Sequence, residues 1–225
     1  SFAKQIDLEN AQQVLEYGAS AQKNIADFSD TALAKVKTGD LGEIGTMLSG
    51  LLVELKTLEE PEKKGIAGLF RKAKINSEEL KARFSTAEVN VDRISGELEK
   101  HKVTLLKDVA VMDQMYDRNL QYFKELTMYI LAGKQKLAEA RSTTLRELRE
   151  KAEASNLPED AQAANDFENK CVRFEKKLHD LELTRMISLQ TAPQIRMIQN
   201  NDSVMAEKIR SSIVNTIPLW KSQMT

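Results

Sequence analysis

The sequence predicts an all-α protein: an elongated antiparallel bundle built on a coiled-coil-like hairpin of two very long helices, with shorter N-terminal helices packed on it. Three observations predict this. Apolar residues recur at alternating steps of three and four along most of the 225 residues, which lays a single stripe down a helix. Only 9 glycines and 4 prolines interrupt the chain, so the unbroken segments are long. Ala, Glu, Lys, Leu and Arg are abundant and aromatics sparse, the composition of long helices rather than of a sheet.

Each element follows from its own signals. Asn10 with Gln13 resembles a helix-start box, and Val14, Tyr17, Ala21, Ile25 and Phe28 mark the face of a first helix, placed at about 8–37 with Asp30 capping a short continuation and Gly39 ending it. Leu41, Ile44, Leu48, Leu51, Leu55 and Leu58 give a helix over 41–59, which Pro61 stops. Residues 60–76 form a basic loop, and Asn76 with Glu79 opens the next element. From Ala87 to Leu137 the three-four rhythm runs on, apart from a double step of four at Leu98, Lys102 and Leu105 that reads as a stutter. A helix over 77–153 would be roughly 115 Å long. Ser155-Asn156-Leu157 breaks it, and Pro158 at a first helical position, followed by Glu159 and Asp160, starts a last helix over about 158–217 with a kink expected at Pro193. A short connection between two long striped helices makes them antiparallel neighbours. The whole is read as one elongated helical domain, 1–225. The stripe Ile209, Ile213, Ile217, Trp220 is still running at Met224, so the chain is expected to be a fragment of a longer protein.

Charge and cysteine content narrow the function classes. Lys and Arg total 33 against 34 Asp and Glu, so no overall field draws the protein to nucleic acid. The single Cys171 rules out an internal disulfide and fits a reducing compartment. No apolar run approaches the roughly 20 residues that span a bilayer, and no signal peptide opens the chain, so a cytoplasmic location is expected.

Catalytic chemistry finds little support. Glu97 precedes His101 by four, as Glu175 precedes His179; these read as surface neighbours, because helical di-iron sites space Glu and His by three. There is no Gly-x-Ser-x-Gly turn, phosphate-cradling loop or Cys-His pair. Cys171 falls between Phe167 and Phe174 on the apolar line, a core position where a thiol is inert. No metal, cofactor or catalytic residue is expected, and the protein reads as a non-enzyme.

Two segments stand out as binding candidates. In the basic loop, Lys63, Lys64, Arg71, Lys72 and Lys74 surround Ile66, Leu69 and Phe70 with no acid among them, a pattern suited to an anionic membrane surface or a docking partner. On the last helix, Gln190, Gln194, Arg196, Gln199, Asn200, Asn201 and Asp202 form an amide-rich run around Pro193, and Arg185, Gln199 and Asp202 sit on the apolar line itself. Burying such groups unpaired costs on the order of 1–3 kcal/mol each. They are therefore either a polar layer that fixes helix register or a ligand or partner site. Tyr116, Asn119, Tyr122 and Tyr129 are the natural facing groups, and Arg185, Gln194, Gln199 and Asp202 are expected to face the interior or a groove between helices.

Further residues carry a resemblance: Leu15-Glu16-Tyr17-Gly18 with Ala21-Gln22, then Tyr122-Phe123-Lys124-Glu125-Leu126, then Gln190-Thr191-Ala192-Pro193-Gln194-Ile195-Arg196 leading to Thr216-Ile217-Pro218-Leu219-Trp220-Lys221. Together these resemble the bacterial toxic-anion-resistance family, the TelA-like tellurite resistance proteins, over nearly the whole chain. The resemblance implies a cytoplasmic bacterial protein connected with tellurite resistance and grouped with tellurium-resistance-type stress proteins, which would be its partners, and it implies no agreed catalytic residues. One buried cysteine is a poor reductant for tellurite. The expectation is therefore a non-enzymatic scaffold or adaptor in a stress response. Oxyanion binding by Arg185, Arg196 and nearby amides, whose donors suit an oxyanion, and membrane attachment through the basic loop are the alternatives.

Overall fold

The computed structural model describes residues 2–38, 41–59 and 77–223. The basic-loop candidates Lys63, Lys64, Leu69, Phe70, Arg71, Lys72 and Lys74 lie outside them. Among the described residues there is no strand. A short 3-10 turn, Phe2–Gln5, precedes α1 (Ala11–Glu16), α2 (Ala19–Thr38), α3 (Leu41–Glu59), α4 (Ser77–Ala140), α5 (Arg146–Ser155), α6 (Pro158–Ser211) and α7 (Ile217–Gln223). Helices α4 and α6 are 64 and 54 residues long, as the stripes predict.

The local chemistry is legible at most ends. Asn10 caps α1 by accepting from the Gln13 N–H at 3.1 Å, while Gln13 Oε1 reaches back to the Asp7 N–H. Asn156 takes the left-handed conformation, φ 52°, and its N–H closes α5 on the Ala152 carbonyl at 3.0 Å. Pro158 then starts α6. The helix expected over 8–37 is instead two helices, because Gly18 adopts φ 67° between them. A Cβ there would meet Leu181 Cδ1 at 2.9 Å, so glycine answers both the backbone and the packing. Asp30 caps nothing; it lies inside α2.

Two π turns, Arg141–Leu145 and Ser212–Thr216, interrupt the long helices. Each shifts the buried stripe by one residue. Ala140 is followed on the core side by Leu145, five positions on, and past the second turn Ile217 rather than Thr216 is buried. At the first turn the hydroxyls of Ser142 and Thr143 both donate to the Glu139 carbonyl.

The chain forms two compact units. The first comprises Ser1–Val36 and Gln114–Arg196. Its core gathers Tyr17, Ile25, Leu126, Ile130, Phe174 and Leu181 among others, each large buried side chain contributing about 1.5–3 kcal/mol. Helices α4 and α5, with the π turn between them, run antiparallel to α6 here, with ion pairs joining Lys134 to Glu182, Arg141 to Glu175 and Arg149 to Glu168. Gly133 sets how closely they approach, since a Cβ would come within 2.4 Å of Leu178 Cδ2 and 3.2 Å of the Phe174 and Tyr17 rings.

The second unit comprises Lys37–Asp113 and Met197–Thr225. Its core joins Ile44, Leu51 and Leu55 of α3 to Val91 and Leu98 of α4 and to Ile209, Ile217 and Trp220. The Trp220 ring lies 5.3 Å from that of Phe84, and its buried indole N–H meets no acceptor among the described residues. Lys221 pairs with Asp92 at 2.8 Å and Glu88 at 3.5 Å.

Candidate functional site

In the first unit the inner face of α6 carries a polar seam rather than a continuous apolar stripe. Its buried track is Leu181, Thr184, Ser188, Thr191 and Ile195. Each hydroxyl on it is satisfied. Thr184 and Thr191 donate back to the carbonyls of Asp180 at 3.2 Å and Ile187 at 2.8 Å, one turn earlier, a bond only a β-hydroxyl makes so cheaply inside a helix. From α2, Gln22 Nε2 donates to Thr184 Oγ1 at 2.9 Å, and Ser29 and Thr191 share a buried hydroxyl contact of 3.1 Å. From α4, Asn119 Nδ2 donates to the Ser188 carbonyl at 3.0 Å and Ser188 Oγ donates to Asn119 Oδ1 at 3.0 Å. Three rungs of side-chain polarity thus tie α6 to its neighbours. Nearby, Tyr17 Oη donates to the Tyr129 carbonyl at 2.6 Å. Burial, with the neighbouring Tyr129 adding to it, raises the pKa of the Tyr17 phenol well above its usual range.

The predicted site residues of the first unit sit around this seam and do not converge. Arg185 is half-buried, with its guanidinium carbon 5.9 Å from the Phe123 ring centre. Arg196 is exposed and lies 3.9 Å over Tyr116, so aromatic faces engage both cations. Gln190 and Gln194 are exposed on the outer side of α6, which corrects the inward placement expected of Gln194: it falls off the buried track. The remaining candidates belong to the second unit. Gln199 is half-buried and donates to the Val109 carbonyl at 3.1 Å, Asn200 is exposed, and Asp202 is 6% exposed. Burial holds the Asp202 carboxyl above the usual carboxylate range, and the charge of Asp108 pushes it further up.

Sequence reasoning missed Thr184, Thr191, Ser29 and Gln22. A signal existed. The positions 181, 185, 188, 192 and 195 and the positions 181, 184, 188, 191 and 195 both fit three-four spacing, and the second track carries the smaller polar groups, which can bond their own helix.

The remaining chemistry is accounted for by pairs. Glu97 pairs with Arg93, and Glu175 with Arg141, whose bond and charge hold the carboxyl below its usual range. Among the described residues no group of three or more His, Cys, Asp or Glu is placed to hold a metal. No helix among them is long and apolar enough to cross a membrane. Cys171 is fully buried, and that burial raises its thiol above the ordinary range against the opposing pull of Arg141. Two depressions of about 490 and 300 Å³ flank Phe2. Neither is lined by a predicted site residue.

Opposite the seam, α6 shows a second apolar face. Leu183, Met186, Ile187 and Leu189 are 50%, 53%, 43% and 54% exposed, and Gln190, Pro193 and Gln194 are exposed beside them.

Comparison with known proteins gives one family. The chain matches the toxic anion resistance protein (TelA) family over residues 1–225. A TelA-like protein of Staphylococcus epidermidis is 42% identical over 229 residues, which cover 100% of this chain and 61% of that protein. A TelA-like protein of Staphylococcus aureus is 38% identical with the same coverage. The uncharacterized protein YaaN of Bacillus subtilis is 40% identical over 99% of this chain and 59% of its own length. The chain therefore spans about three fifths of these relatives. No solved structure matches it.

Proposed function

The chain belongs to the toxic anion resistance (TelA) family, and from that premise we propose that it serves tellurite resistance as a non-enzymatic helical scaffold, an adaptor in a bacterial stress response. The outer face of α6 carries this reading: four large apolar side chains, all about half exposed, lie together on a helix whose opposite side is already packed. Contiguous exposed apolar surface marks a docking site more often than a solvated one. Its occupants are other proteins, tellurium-resistance-type stress proteins among them, and the setting is the cytoplasm.

The test is a resistance assay with the full-length protein. Met186→Glu and Leu189→Glu replace exposed side chains, so the fold, checked by circular dichroism, is expected to survive while tellurite resistance and co-purifying proteins are lost. Unchanged resistance would remove the adaptor reading. Tellurite binding at micromolar strength that vanishes in Arg196→Ala would replace it with direct anion capture.

A further inference from the structure

We draw no further inference here: the strongest candidate, the groove beside Phe2 on α4 lined by Phe123, Lys124, Met128 and Leu131, is a shallow apolar depression, and nothing in the structure shows what covers it.

Discussion

The Asn119–Ser188 clasp offers the sharpest measurement on the polar seam. Asn119 is 3% and Ser188 1% exposed, and two bonds of 3.0 Å join them. Each neutral bond of this kind is worth about 0.5–1.5 kcal/mol net, and a buried partner left unpaired costs about 1–3 kcal/mol. Asn119→Ala removes both bonds and leaves the buried Ser188 hydroxyl only the long 3.5 Å reach to the backbone carbonyl of residue 119, so a loss of about 2–3 kcal/mol is expected. Ser188→Ala removes one bond and strands one acceptor, for about 1–2 kcal/mol. The double variant should cost less than the sum by about 1 kcal/mol, because the second change breaks nothing the first has spared. Asn119→Leu with Ser188→Ala, which replaces both polar partners by apolar ones, is expected within about 1 kcal/mol of the starting protein. Urea unfolding followed by circular dichroism gives the free energies. Trp220, the only tryptophan, belongs to the second unit, so hydrogen exchange on peptides from 114–196 supplies the local reading of the first. Strict additivity of the two alanine changes would show that these side chains do not bond each other in solution.

Three further outcomes follow from single residues. Gly18→Ala forces a Cβ into the left-handed region and against the buried Leu181 side chain, so a loss of about 2 kcal/mol or more is expected in thermal or urea unfolding; a neutral result would mean that the break between α1 and α2 is not held by backbone conformation. Cys171, fully buried with its thiol raised by burial, should react with a disulfide reagent far more slowly than a free thiol in native buffer and at the ordinary rate in urea, and fast native labelling would contradict its core position. Burial raises the folded-state value of the Asp202 carboxyl above its unfolded one, so the fold binds this proton more tightly than the unfolded chain does. Its destabilising effect grows as pH climbs past the ordinary Asp range near about 4, and is complete above the raised value. Asp202→Asn is therefore expected to be the more stable form at neutral pH, with the difference shrinking as pH falls through the raised value toward about 4; a difference constant across that range would place the effect in packing rather than in charge.

Helix identity was legible because long amphipathic stripes have one physical solution. The rhythm that runs from Ala87 to Leu137, the Asn156 break and Pro158 at the start of α6 all appear where the residues put them. The π turns did not show. A five-residue step from Ala140 to Leu145 costs no apolar residue and adds no proline or glycine, so the sequence either side reads as ordinary helix. Gly18 was visible as a glycine, but whether a glycine bends the chain depends on what sits across from it, and Leu181, 163 positions later, is a contact the local pattern does not carry.

For α6 the same limit decides the site. A three-four stripe fixes a face only to within about one residue, or 100° of rotation, and within that freedom the Arg185 track and the Thr184 track compete. Physical chemistry breaks the tie. Thr184 and Thr191 discharge their hydroxyls onto their own helix, whereas Arg185 needs an external partner and finds one at the edge, over Phe123. The core takes the residues that bring their own acceptors and leaves the long cations at the rim, where their stems can lie on apolar surface and their heads stay in water. On this register Leu183, Met186 and Leu189 lie well away from the Thr184 track and are about half exposed. Had Arg185 and Ala192 been the inward residues, Leu183, about 160–180° from both around the helix, would still have faced out, and Thr184 and Thr191 would have moved to the rim. The choice of register thus decides which polar groups are buried, while Leu183 faces outward on either track. A substitution that makes the seam apolar, such as Thr184→Val with Thr191→Val, should leave that register in place while removing two rungs of its polarity.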